Sequence, residues 1–522
     1  MREKQRAELH KTIWAIANEL RGSVDGWDFK AYVLITLFYR FISEDITSYI
    51  NVNANEPQGF DYATFDDQKA QIVKEKLVKA KGYFILPSQL FGSLINKIKN
   101  DNIFAQEHLN EELKAIFESI EASTIGTDSE RNFKSLFNDF KFNDKALGHS
   151  VIEQNNKLKK VLFAIDALDF GDITESSIDL FGDAYEYLMR MYASNAGKSG
   201  GEYFTPQEVS RLLSELASFG QKEVNKVYDP ACGSGSLLLQ VAKVLGKENI
   251  IKGFFGQEIN LTSYNLCRMN MLLHHIDFNQ VFIAHGDTLL NPDVSHKEEE
   301  PFDIIVSNPP YSTKWEGKDN AVLMRDVRFT PAGVLAPKSK SDLAFVMHIL
   351  SWLSPKGAAA IVEFPGVLYR GGDEAIIREY LVRENYIDCI IQLPENLFYG
   401  VTIATCIIVL KKNKREAKTL FINASEFFVK VTNKNKLSDE NIAQILELYK
   451  KRENVPHLSA LVDNRDILAN EANLSVSSYV EAKDTREVVD IKALNAEILE
   501  IVAQQNALRQ KIDQIVAALE TA

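Results

Sequence analysis

The chain has 522 residues, 45% hydrophobic and 25% charged, the balance of a folded globular protein with length for two to four domains at roughly 150 residues each. Its 59 Lys and Arg against 72 Asp and Glu leave a net charge of −13. Taken alone, that argues against a chain that grips nucleic acid unaided, because phosphate binding is driven by Lys and Arg displacing counterions. The four cysteines (Cys232, Cys267, Cys389, Cys406) form no C-x-x-C pair, so neither a disulfide framework nor a metal site is expected. Met1 to Leu20 is charged and amphipathic, unlike a signal peptide. The longest largely apolar run, Ile403–Leu410, is too short to span a bilayer. A cytoplasmic protein with no membrane contact is expected.

From the N-terminus to Leu168 the pattern is helical. In Trp27–Ile50, for example, Tyr32, Ile35, Phe38, Tyr39 and Ile42 recur three and four residues apart. This predicts a helical domain over 1–168 that packs on something else. Further on, short β-branched runs alternate with helical patterns. The predicted strands are Lys226–Tyr228, Gly253–Gln257, Phe282–His285, Asp303–Ser307, Ala358–Phe364, Ile387–Gln392 and Thr405–Lys411, with helices over Leu237–Leu245, Ser263–His275, Leu343–Leu353 and Glu374–Glu384. That alternation means βαβ units and a mostly parallel sheet of seven strands, an α/β domain over 169–480. In the tail, 481–522, apolar residues from Ile491 to Leu519 form a heptad seam interrupted at Gln505, suited to pairing with a partner helix.

Ligands of a parallel sheet sit at the carboxyl ends of its strands. After the first strand comes Asp229-Pro-Ala-Cys-Gly233-Ser234-Gly235-Ser236, opening a helix. The glycines let the backbone approach a ligand, and the Lys-Ser/Thr pair of a phosphate loop is missing. The second strand ends at Glu258, placed to accept ribose hydroxyls, and the third is followed by Asp287, placed to accept from an adenine amine. Together they describe a nucleoside pocket with no provision for phosphate, which S-adenosylmethionine fits. After the fourth strand, Asn308-Pro309-Pro310-Tyr311 is a rigid loop with an amide oxygen, a carbonyl and an aromatic face, suited to an amine on a planar ring.

The Asp229–Ser236 and Asn308–Tyr311 motifs together resemble those of the S-adenosylmethionine-dependent amino-methyltransferases of DNA bases. The modification subunits of type I restriction–modification systems are the closer match. Gly200–Pro206, Leu393–Gly400, Asn473–Glu481 and Gly22–Asp28 are similar to that family's other motifs. The resemblance implies a Rossmann-like methyltransferase fold and adenine-N6 methylation of a base flipped out of double-stranded DNA. It implies a specificity subunit that selects the site, a restriction (motor) subunit, and two copies of this chain per complex. It carries catalytic roles to Asn308, Pro309, Pro310, Tyr311 and Phe398, with Phe398 as the other wall of a base slot. Cofactor binding goes to Glu202, Tyr203, Phe204, Thr205, Pro206, Gln207, Asp229, Gly233, Ser234, Gly235, Ser236, Glu258 and Asp287. Two alternatives stay open: the same chemistry on an RNA base or a protein glutamine, and a catalytically idle scaffold of a restriction complex.

Overall fold

Nine strands lie side by side in one sheet in the computed structural model, which describes residues 9–14, 29–53, 60–170, 175–195, 205–297, 300–398, 401–432, 434–483 and 491–520. In chain order the strands are β1 (Val224–Asp229), β2 (Ile250–Glu258), β3 (Val281–His285), β4 (Phe302–Ser307), β5 (Leu353–Glu363), β6 (Ile387–Gln392), β7 (Cys406–Lys411), β8 (Lys418–Asn423), β9 (Val429–Val431), β10 (Lys434–Lys436) and β11 (Ser459–Asp463). The large sheet has the order β11-β8-β6-β7-β5-β4-β1-β2-β3, and β9 and β10 pair separately as a hairpin. β3, β2, β1, β4 and β5 run parallel; β7 is antiparallel to both its neighbours, β5 and β6.

All seven predicted strands are present, and the expectation of seven is corrected to nine. β8 joins β6 in parallel and β11 closes that edge antiparallel to β8. β11 is only partly buried beyond its first residue and lacks the apolar run of a central strand, whereas β8 is buried over residues 419–422 like the other inner strands. The inner strands are buried on both faces. On one face lie the helices Gln207–Ala217, Ser236–Leu245, Leu261–Leu273 and Asp439–Lys451. On the other lie Asp342–Trp352, Asp373–Arg383 and Asn464–Ala469.

The helix Leu261–Leu273 explains how the N-terminal helices are held. Its Cys267 and Met271 join the core under the sheet, whereas Leu266, Met269 and Leu273 join the core of the N-terminal helices. Each such side chain contributes roughly 1.5–3 kcal/mol on burial. Tyr32, Ile35, Phe38, Tyr39 and Ile42, on the helix Phe29–Asn53, all belong to that same N-terminal core. The surface expected to cover this helical region is therefore the chain's own helix Leu261–Leu273. Polar contacts fix the register. Asp139 accepts from Thr262 and Asn265 at 3.1 and 3.0 Å, and Asn132 donates to the Phe278 carbonyl at 2.8 Å. Arg268 is 1% exposed and donates to the carbonyls of Arg131 (3.0 Å) and Lys134 (2.9 Å), its guanidinium over the Tyr264 ring.

The chain divides into two units, Met1–Val480 and Glu481–Ala522. Among the described residues the second contains one helix, Ile491–Glu520, about 45 Å long at 1.5 Å per residue. None of its residues is buried, including Ile491, Leu494, Ile498, Ile501, Leu508, Ile512, Ile515 and Leu519 of the heptad seam.

Replacing Arg268 with Met should lower stability by roughly 1–3 kcal/mol, because the carbonyls of Arg131 and Lys134 lose a charged donor. The check is a fall in the urea midpoint of the isolated chain; a change below about 0.5 kcal/mol would show that the cation does not hold this seam.

Candidate active site

Strand order reverses at β1, which has β2 on one side and β4 on the other; in such sheets the reversal opens a crevice beyond the strands' carboxyl ends. Asp229, the last residue of β1, is fully buried there. Its Oδ1 accepts from the Ala231 N–H (3.0 Å) and from the Ser307 hydroxyl at the end of β4 (3.1 Å). Its Oδ2 has no hydrogen-bond partner among the described residues. Burial pushes this carboxyl up to about 7 against those two hydrogen bonds, with Glu258 adding to the rise.

The following loop turns on Gly233 (φ +51°) and Gly235 (φ +78°). At Gly235 a side chain is excluded twice, by the left-handed backbone and because an added Cβ would lie 2.8 Å from Cys267 Sγ. Gly235 caps the helix beginning at Ser236, whose first-turn N–H groups lack intrahelical acceptors. The Ser234 hydroxyl is buried without a partner among the described residues, and its carbonyl accepts from Asn270 at 2.9 Å. Glu258 accepts from the Gly233 N–H (3.0 Å) and the Asn260 N–H (2.8 Å), so the end of β2 holds the glycine loop directly. A carboxylate with one hydrogen bond on each oxygen retains lone pairs for further donors. Burial nonetheless raises the Glu258 carboxyl above its usual range.

Asp287 sits half-buried in the turn after β3, where its Oδ1 caps the N–H groups of Leu289 and Leu290 at 2.8 and 3.1 Å. Thr288 beside it donates to the Pro230 carbonyl at 2.6 Å, joining this turn to the glycine loop.

Past β4, Asn308 is held from two sides. Its Nδ2 donates to Thr205 Oγ1 (3.1 Å) and its Oδ1 accepts from the Tyr311 hydroxyl (2.5 Å). Pro309 is buried and Pro310 half-buried. Burial, with Glu363, Cys406 and Asp342 nearby, keeps the Tyr311 phenol well above its ordinary value, so it remains a neutral donor. Downstream, Ser312 stands at φ +51°, its N–H bound to Asp342 Oδ1 at 3.0 Å.

Phe398 and Gln207 each have a partner within the fold. Phe398 meets Tyr311 edge to face, centroids 6.4 Å apart and planes at 85°, and is 2% exposed. Its ring is drawn into the core with Leu393 and Leu397, so the pair forms no parallel-walled slot. Gln207 starts the helix after Pro206 and its amide donates to Glu186 at 3.1 Å; among the described residues of this segment, Thr205 bonds Asn308. Glu202, Tyr203 and Phe204 lie outside the described residues.

Ser307, Thr288, Asn270 and Asp342 were not found by sequence reasoning. Each acts by one hydrogen bond across the fold, with no local pattern to mark it. Glu363 was missed too: it ends β5, is fully buried, and neither carboxyl oxygen has a partner among the described residues. Burial and the adjacent Asp342 hold its carboxyl well above the usual range.

A pH dependence follows for Asp229. Its ordinary value is 3.8 and its folded value about 7, so the folded state holds the extra proton in between. Stability carried by that proton is complete below pH 4 and is lost as pH rises toward 7. Asp229→Asn removes this slope, and its stability should gain on the wild type by up to roughly 4 kcal/mol across that window. Urea midpoints of both proteins between pH 4 and 7.5 check this; parallel curves would contradict it.

The sequence profile of the N-6 DNA methylase family matches residues 176–488, and that of the HsdM N-terminal domain matches residues 9–165. The type I restriction enzyme MpnII methylase subunit of Mycoplasma pneumoniae is 46% identical over 527 residues, covering 99% of this chain and 97% of that protein. The MjaVII methylase subunit of Methanocaldococcus jannaschii is 30% identical over 98% of this chain and 84% of its own length. The crystal structure of the type I restriction-modification system methyltransferase subunit from Streptococcus thermophilus matches with a TM-score of 0.82 at 33% identity, covering 91% of this chain and all of that one. With both regions matched and the likeness running end to end, the chain belongs to the N-6 DNA methylase family, among the methyltransferase subunits of type I restriction–modification systems.

Proposed function

We propose that the chain transfers a methyl group from S-adenosylmethionine to the N6 amine of an adenine extruded from double-stranded DNA, at sites chosen by a separate specificity subunit. The observation that carries this reading is Asn308, fixed between Thr205 and Tyr311 at the carboxyl end of β4, beside a glycine loop that contains no cation.

The site residues fit the cofactor. Asp229 Oδ2 and Ser234 Oγ are buried acceptors without partners among the described residues. Gly233 and Gly235 turn the loop through left-handed backbone, and no Lys or Arg stands in it to call for phosphate. Asp229, Gly233–Ser236, Glu258 and Thr205 would hold it, with Glu202–Phe204 completing the site. When bound, the cofactor supplies a methyl group on a positively charged sulfur, open to attack by a nitrogen lone pair. Asp287 would sit beside an adenine amine while capping its own turn.

The adenine amine is a poor nucleophile because its lone pair is spread into the ring. Asn308 Oδ1 keeps a lone pair beyond the one bonded to Tyr311, and the Pro309 carbonyl is a second acceptor. Drawing the two amine protons toward these acceptors makes the nitrogen more tetrahedral and gathers its lone pair on one face. The double proline and the Thr205 bond hold the acceptors in place beforehand, so orientation supplies the rate. Tyr311 offers a ring face to the base, and Phe398 braces that ring from its edge. The tail helix would pair with a partner subunit through its apolar seam, in a cytoplasmic complex with a motor subunit and two copies of this chain.

The test is single-turnover methyl transfer to unmethylated duplex by the chain combined with its specificity subunit. Asn308→Ala should lower the rate by about 10²–10³-fold, with cofactor and DNA affinities retained. An unchanged rate would remove Asn308 from the mechanism.

A further inference from the structure

The hairpin of β9 and β10 is separate from the main sheet, and a two-stranded ribbon is at best marginally stable in water unless it is docked. Backbone carbonyls of the Leu393–Gly400 segment dock it. The Asn435 N–H donates to the Asn396 carbonyl at 3.2 Å, and Asn435 Nδ2 donates to the Glu395 carbonyl at 2.8 Å. Those carbonyls precede Phe398, whose ring braces Tyr311. The hairpin is thus placed by the segment that shapes the site.

Its charge is one-sided. Residues 427–437 contain Lys430, Lys434 and Lys436 and no carboxylate, in a chain with a net charge of −13. Lys430 lies opposite Asn435 in the ladder and so shares the ribbon's docking face; Lys436 lies opposite Val429 on the other face. Lys430 and Lys436 are exposed, and neither makes an ion pair among the described residues. Lys436 borders a cleft of about 820 Å³ that Gln207 and Leu397 also line. Of the three acids there, Asp439 is paired with Arg211 at 2.6 Å, Glu440 is exposed, and Glu208 faces Lys434 and Lys436. Lys430 and Lys436 are exposed cations without a bonded carboxylate among the described residues, on a hairpin docked to the segment that carries Phe398, and such a pair suits a strand of phosphates.

We propose that this hairpin binds the DNA backbone beside the extruded base, with Lys430 and Lys436 each neutralising a phosphate. The inference rests on the functional reading above and adds to it a DNA contact made by this chain and not by the specificity subunit. Lys430→Ala/Lys436→Ala is compared with wild type in the complete complex, measuring the KM for duplex in methyl transfer at rising KCl. The dependence of log KM on log salt should become shallower by about 2, one for each phosphate no longer neutralised. The kcat at saturating DNA should be unchanged, and Lys430→Arg/Lys436→Arg should return the wild-type slope. An unchanged slope in the alanine variant overturns the proposal, as does failure of the arginine variant to restore it. If the unaltered complex transfers no methyl to DNA, the functional reading fails before any lysine is changed, and this inference falls with it.

Discussion

The site depends on one buried carboxyl. Asp229 ends β1, and its single oxygen Oδ1 accepts from the loop that follows it and from Ser307 at the end of β4. Those two strands flank the point where strand order reverses, so this contact fixes the glycine loop and the Asn-Pro-Pro-Tyr loop relative to each other. Glu258 extends the arrangement to β2 through Gly233, and Thr288 extends it to the turn after β3 through Pro230. Four strand ends are joined by side chains before any ligand arrives. The energetic burden is visible in the same residues, since burial raises both Asp229 and Glu258 above their ordinary ranges. Two carboxyls held near one loop favour a ligand that brings positive charge and hydroxyl donors, and disfavour one that brings phosphate.

Much of this was legible in the amino-acid order because it is local. The runs around Val227, Phe254 and Ile305 are apolar on both faces of a strand, and Gly235 and the two prolines punctuate loops in ways few other residues permit. The joining contacts are not local. Ser307 and Asp229 are 78 residues apart, and Thr205 and Asn308 are 103 apart. No spacing rule links such pairs. The same limit explains Phe398 and Gln207. Their motifs were readable, but the direction of each side chain is set by distant partners: the sheet core for Phe398 and Glu186 for Gln207. The edge strand β11 escaped because it is half exposed, whereas β8, an inner strand beside it, does carry a local apolar run in residues 420–422.

The N-terminal helices show how the chain answers a packing problem. A helix of the sheet domain that is apolar on two faces, Leu261–Leu273, needs cover on both, and the N-terminal core supplies the second. Arg268 is tolerated in that seam because backbone carbonyls of the N-terminal region take its protons. The tail helix is the opposite case: its apolar seam is exposed along the full length of the helix.

The acidic balance acquires a definite meaning beside these features. A net charge of −13 opposes unaided DNA binding, yet the site chemistry suits a base. Such a chain does chemistry on DNA that another subunit delivers. The central claim is the identity of the atom methylated. Duplex DNA treated with the chain, its specificity subunit and S-adenosylmethionine can be digested to nucleosides and separated by mass spectrometry. N6-methyl-2′-deoxyadenosine is the methylated nucleoside expected; 4-methyl-2′-deoxycytidine in its place, or methyl groups on protein and none on DNA, would contradict it.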